Sequence, residues 1–181
     1  NALLPWDVIF ATILDGFRQQ LSQYLPIWLD VWYQAEGLTA LANYAYLNPE
    51  YHFPVIHAMT ADPLFSAQGL GHPLIPRTEK VVNDFSFHQI GEVALISGSN
   101  MSGKSTFLRT LGINLTLAYA GTVVNASHMQ CAILRLFTVI QVSDSLKDGF
   151  SYFYAEVRRL RALLNWLEDQ NNTPVFYLID E

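Results

Sequence analysis

Charge is scarce in this chain. Only 14% of its 181 residues are Asp, Glu, Lys or Arg, while 51% are hydrophobic. That balance excludes a disordered polar segment, and it implies that part of the surface is normally covered. The charge that is present leans acidic, with ten Lys and Arg against sixteen Asp and Glu. A net charge of −6 argues against a nonspecific nucleic-acid surface on this chain, which needs a positive field over phosphates. Cysteine is nearly absent. Cys131 alone excludes an internal disulfide framework, fits a reducing compartment and reads as a small core residue. No run of 18 apolar residues occurs, so no membrane span is evident. The opening Asn1-Ala2-Leu3-Leu4-Pro5-Trp6-Asp7 has neither a basic segment nor an initiator methionine, and reads as a cut edge and not as a signal peptide. His52, His57, His72, His88 and His128 lack any Cys/His partner spacing, so they read as connector or packing residues and no metal-ligand cluster.

Periodicity divides the chain. Phe10, Leu14, Phe17, Leu21 and Leu25 recur at three- and four-residue spacing and predict a helix over 7–25. Pro26 breaks or restarts it, and Trp28, Val31, Ala35, Leu38, Ala42 and Ala45 continue the pattern up to a turn around Pro49. Residues 53–76, rich in proline, read as connector and short strand. Lys80–Phe87 reads as a strand interrupted by Asn83 and Asp84. Val93–Ser97 is expected to be a strand, followed by a helix from about Gly103 to Ala118, ended by Gly121, with a short strand over Thr122–Val124. Ile133–Val142 is apolar and β-rich, the best candidate for a buried central strand. Phe153, Val157, Leu160, Leu164 and Leu167 share a face of a helix over Ser151–Glu168, with Asp148-Gly149 at its start, and Val175–Ile179 is a strand. Strands alternating with helices predict a three-layer α/β domain.

Between the apolar run ending at Ile96 and the following helix lies Gly98-Ser99-Asn100-Met101-Ser102-Gly103-Lys104-Ser105-Thr106. Small residues before a Gly-Lys-Ser at a helix start are the pattern of a phosphate-binding loop. Successive backbone N–H groups converge on phosphate oxygens there, and the helix adds its positive end. In such a loop Lys104 reaches the β- and γ-phosphates and the Ser105 hydroxyl ligates Mg²⁺. Val175–Ile179 then delivers two carboxylates, Asp180 and Glu181. Asp180 is the natural partner of the magnesium ion, and Glu181 the group to orient or deprotonate an attacking water. ATP or GTP with Mg²⁺ is therefore the expected ligand, and the pair of carboxylates favours hydrolysis, as in an ATPase, over a kinase that needs only the metal carboxylate. Because Glu181 follows the strand directly, the chain is expected to be a piece of a larger protein, poorly active alone.

These residues resemble the MutS family of DNA mismatch repair ATPases. The likeness runs through Gly98–Thr106, Phe107-Leu108-Arg109-Thr110, Asn114, Tyr119-Ala120-Gly121, Ser143–Glu156 and Leu178-Ile179-Asp180-Glu181, with Gly71-His72-Pro73-Leu74 ahead of them and Leu41–Ala45 earlier. The resemblance implies residues 1–50 as the end of a helical lever and residues 51–181 as the first part of an α/β P-loop NTPase domain of the ABC type. It gives Lys104, Ser105 and Thr106 phosphate and magnesium roles, sets Asn100 close to the phosphates, and makes Asp180 and Glu181 the metal-side and water-activating carboxylates. Ser151 corresponds to a serine that reaches nucleotide held by the opposite subunit, so a homodimer with shared ATP sites is implied. Double-stranded DNA, mismatched or branched, would be contacted mainly through other domains, in the cytoplasm or on a nucleoid.

Some positions depart from the family. Ser99 and Ser102 replace a proline and a glycine of the loop, Lys80 stands where an aromatic often lies near the base, and Tyr152 follows Ser151 where threonine is common. A MutS-related ATPase of recombination control or another DNA transaction stays open, as does a nucleotide-gated binding module with little turnover.

Overall fold

A computed structural model describes residues 5–59, 62–140, 152–168 and 173–180. The chain divides into two units, Asn1–Tyr44 and Ala45–Glu181. The described residues of the first, from Trp6 on, lie in one helix. Helix α1 spans Trp6–Leu47 without interruption and carries Pro26 inside it. The expected break at Pro26 is therefore not found. An interior proline removes one backbone bond and crowds one carbonyl, at a cost of about 3 kcal/mol, but the turns on either side continue. Thr39 Oγ1 donates to the Ala35 carbonyl at 2.7 Å, and Gln34 Nε2 to Asp30 at 2.8 Å. Trp6, Phe10, Phe17, Trp28 and Trp32 stand exposed on this helix.

After α1 ends at Leu47 comes a turn in which Tyr51 N donates to the Asn48 carbonyl at 3.0 Å. The elements of the second unit are β1 (Val55–His57), β2 (Phe65–Leu70), β3 (Asn83–Phe87), α2 (Lys104–Tyr119), β4 (His128–Ala132), β5 (Arg135–Val139), α3 (Tyr152–Leu167) and β6 (Val175–Ile179). Four strands form one sheet in the order β1-β4-β2-β3, with β2 antiparallel to both β4 and β3. Strands β5 and β6 pair in parallel, Arg135 opposite Val175 through Val139 opposite Ile179, with α3 in the crossover between them. The fold is thus mixed α/β, with a larger, mostly antiparallel share than strict alternation of strands and helices predicts.

One face of α2 supplies the core. Leu111, Leu115 and Ala118 recur at i, i+4 and i+7, and all three are buried with Phe65, Leu70, Met129, Cys131, Phe176 and Leu178. The Phe65 ring sits 5.4 Å from Phe176 and 6.2 Å from Phe85, joining the two sheets. Cys131 is buried as expected, and burial pushes its thiol up to about 11. The Tyr119 hydroxyl, pushed up to about 12 chiefly by burial, donates to the Ala132 carbonyl at 2.8 Å and accepts from Leu134 N at 3.0 Å.

Several expected elements differ. Val93–Ser97 forms no strand, because no neighbour among the described residues pairs with it, and Val93 and Leu95 remain 72% and 93% exposed. This segment faces β6 across an apolar cavity of about 340 Å³. Thr122–Val124 contributes one isolated bridge, Val124 to His52, and no strand. The strand expected over Ile133–Val142 is Arg135–Val139, paired only with β6 among the described residues, with Ile133 exposed. Asn83 and Asp84 begin β3 and do not interrupt it. The Asp84 carboxylate accepts from Gly69 N at 2.7 Å, beside a bulge in the β2/β3 register. Asp148-Gly149 lies outside the described residues.

Candidate phosphate site and the cavity beside it

Gly98–Gly103 lead directly into α2. Ser102 N donates to the Ser99 carbonyl at 3.2 Å, which closes a turn. Met101 and Gly103 adopt left-handed backbone, with φ of 64° and 91°. Left-handed residues alternating along a loop turn successive N–H groups toward one side, the geometry of an anion nest. Gly98 lies close to Ser102: a Cβ there would come within 2.8 Å of Ser102 Oγ, so that hydroxyl would have to turn away.

Helix α2 starts without a cap. Gly103 offers no side-chain acceptor, and the first turn carries no acidic residue. Phe107 N is the first amide bonded back into the helix, to the Gly103 carbonyl at 2.9 Å. The N–H groups of Lys104, Ser105 and Thr106 are thus the helix's orphan donors at its positive end. A helix of 16 residues with this end uncapped favours an anion in front of it. Lys104 Nζ donates to the Gly98 and Ser99 carbonyls at 3.0 and 3.1 Å, so its ammonium lies over the loop. Met101, fully exposed, makes no packing that would compensate its left-handed backbone. Met101→Gly is expected to leave stability unchanged or raise it by up to about 1 kcal/mol in thermal unfolding, because a left-handed non-glycine residue costs about that much.

Asp180 follows β6, where its N–H donates to the Val139 carbonyl at 2.9 Å and extends the parallel ladder by one bond. Helix α2 packs closely on this strand. A Cβ on Gly112 would lie 3.2 Å from Leu178 Cδ1, two residues before Asp180. The Ser105 hydroxyl and the Asp180 carboxylate are hard oxygen donors, the type Mg²⁺ takes together with waters and phosphate oxygens. No group of three or more His, Cys, Asp or Glu side chains suited to a metal occurs among the described residues. Glu181 and Ser151 lie outside the described residues.

A cavity of about 580 Å³ adjoins the loop. Gly98, Ser102, Gly103, Lys104 and Thr106 of the loop and helix start line it, together with His72, Ile75, Glu79, Val81 and Asn83. Lys80 does not line it. Its Nζ donates to the Tyr51 hydroxyl at 3.1 Å and lies 5.1 Å from the centre of that ring. Val81, the next residue, lines the cavity. From sequence His72 reads as a connector or packing residue within the Gly71–Leu74 stretch, because a lone histidine there carries no spacing signal of a site.

Residues 94–181 match the family profile of MutS domain V. The chain is 32% identical over 171 residues to DNA mismatch repair protein MutS 2 of Halobacterium salinarum, which covers 92% of this chain and 19% of that protein. It is 37% identical over 130 residues to DNA mismatch repair protein MutS of Haloquadratum walsbyi (70% and 13%), and 30% identical over 151 residues to that of Geobacillus kaustophilus (81% and 17%). The chain thus spans a fifth or less of the length of these relatives.

Proposed function

Because the chain belongs to the MutS family of DNA mismatch repair proteins, we propose that its second unit is the nucleotide-binding part of a P-loop ATPase of the ABC type, a three-layer domain that couples Mg-ATP binding and hydrolysis to DNA binding. The observation that carries this reading is the uncapped start of α2 behind a left-handed loop, with the Lys104 ammonium lying over that loop. Backbone N–H groups of residues 98–106 cradle the phosphates. Lys104 balances charge on the β- and γ-phosphates as it spreads over their oxygens during transfer to water. Ser105 and Asp180 hold the magnesium ion, Asn100 lies near the phosphates, and Glu181 orients the attacking water. When bound, the metal neutralises the developing charge between the phosphates.

Two copies pair so that Ser151 of one reaches nucleotide held by Lys104 of the other. Closure moves the helical unit, which passes the change on to DNA held elsewhere. Such coupling requires that nucleotide bind the open and closed states with different affinity. The test is ATP turnover, with magnesium, of the protein that carries this chain, against matched, mismatched and branched duplexes. Mismatched DNA is expected to change turnover severalfold relative to matched DNA. Turnover that responds to branched DNA but ignores mismatches would favour the second reading, a MutS-related ATPase of another DNA transaction. Lys80, turned onto Tyr51 where base stacking is expected in mismatch repair members, is the observation on its side.

A further inference from the structure

Gly71-His72-Pro73-Leu74 forms a rigid corner at the rim of the cavity. Gly71 N donates to the Asn125 carbonyl at 2.8 Å, and its own carbonyl accepts from Asn114 Nδ2 at 3.0 Å. Asn114 lies on α2, the helix whose start forms the phosphate site, so His72 is held at a set position relative to that site. The His72 carbonyl accepts from Ile75 N at 3.2 Å, which closes a turn. Within the turn Leu74 N donates to His72 Nδ1 at 3.2 Å. A ring nitrogen that accepts cannot carry the proton, so the single proton of the ring resides on Nε2. Nε2 has no protein partner among the described residues, and the ring lines the cavity.

We propose that His72 presents its Nε2–H to an acceptor atom on the nucleoside part of the bound nucleotide, and so distinguishes a nucleotide from bare polyphosphate. The proposal rests on the nucleotide reading above. Around His72 the wall is made of Ile75, Val81 and the carboxylate of Glu79. That mixture suits a base or sugar, while phosphate charge is met by Lys104 and the start of α2. Burial, with Arg109 and Lys80 nearby, holds the imidazole below its ordinary pKa, so the neutral donor persists near pH 7. The donor is set before any ligand arrives, and no ordering of the side chain opposes binding.

His72→Asn isolates Nε2 from the turn, because the asparagine side-chain oxygen can still accept from Leu74 N. Binding of Mg-ATP and of Mg-tripolyphosphate is measured by calorimetry for the wild type, His72→Asn and Lys104→Ala. His72→Asn is expected to weaken ATP binding by about five- to tenfold, the loss of one hydrogen bond, with tripolyphosphate unchanged. Equal weakening of both ligands, or of neither, overturns the role given to His72. Lys104→Ala should weaken both. If it weakens neither, the nucleotide reading itself falls, and that outcome is distinct from any effect at His72.

Discussion

Replacing Lys104 by alanine is expected to weaken Mg-ATP binding by about 100-fold and to lower turnover by a factor on the order of 10² to 10³. The reason lies in what the ammonium touches. Lys104 Nζ donates to the Gly98 and Ser99 carbonyls at 3.0 and 3.1 Å, bonds that a triphosphate oxygen can replace with charge-assisted ones. Losing such bonds costs about 1.5–3 kcal/mol in binding. As the bond to the γ-phosphorus breaks, charge moves onto the β–γ bridging and β-phosphate oxygens that Lys104 would reach, so the loss in rate exceeds the loss in affinity. The fold should not notice. Lys104 is half-buried at the first residue of α2 and belongs to no core cluster, so the unfolding free energy is expected to stay within about 0.5 kcal/mol of the wild type. Equilibrium binding of a fluorescent ATP analogue, together with urea unfolding, separates the two effects. Unchanged affinity with an intact fold would remove Lys104 from the site.

That loop was legible because its information is contiguous. Nine successive residues carry the turn, the glycines and the cation, and α2 begins at Lys104, one residue from the expected start. Strand β6 appears as expected over Val175–Ile179, since five apolar residues after a proline leave little choice. What stayed hidden depends on partners distant in sequence. Strand β4, His128–Ala132, has weak periodicity of its own and exists through its antiparallel pairing with Phe65–Gln68, about 60 residues earlier. In β2 the alternation of Phe65 and Ala67 is broken by the bulge at Gly69 before Leu70 is reached. Val93–Ser97 shows the opposite failure, good β-propensity without a neighbouring strand to use it. His72 was hidden for the same reason. Its chemistry comes from Leu74 N, Asn114 and the cations Arg109 and Lys80, and only the folded chain brings these together.

Asn114→Ala is expected to cost about 2–5 kcal/mol, the largest stability loss of any change considered for α2. Asn114 is completely buried, and it ties three parts of the chain together. Its Nδ2 donates to the Gly71 carbonyl at 3.0 Å and the Thr110 carbonyl at 2.8 Å, and its Oδ1 accepts from Asn125 N at 2.8 Å. The Thr110 carbonyl already receives a helical N–H, so its loss matters little. The Gly71 carbonyl and the Asn125 N–H are different. Both residues are buried, and each would be left unsatisfied at about 1–3 kcal/mol. Gly71 N also donates to the Asn125 carbonyl, so the corner and the loop after α2 loosen together. The consequence reaches the cavity, because His72 follows Gly71 directly. Variants that still fold should therefore lose discrimination between ATP and tripolyphosphate, while the start of α2 keeps its hold on phosphate. Urea unfolding reads the first effect and the affinity ratio reads the second. A stability change below about 1 kcal/mol would mean that Gly71 and Asn125 find other partners, and that α2 does not position the His72 corner through Asn114.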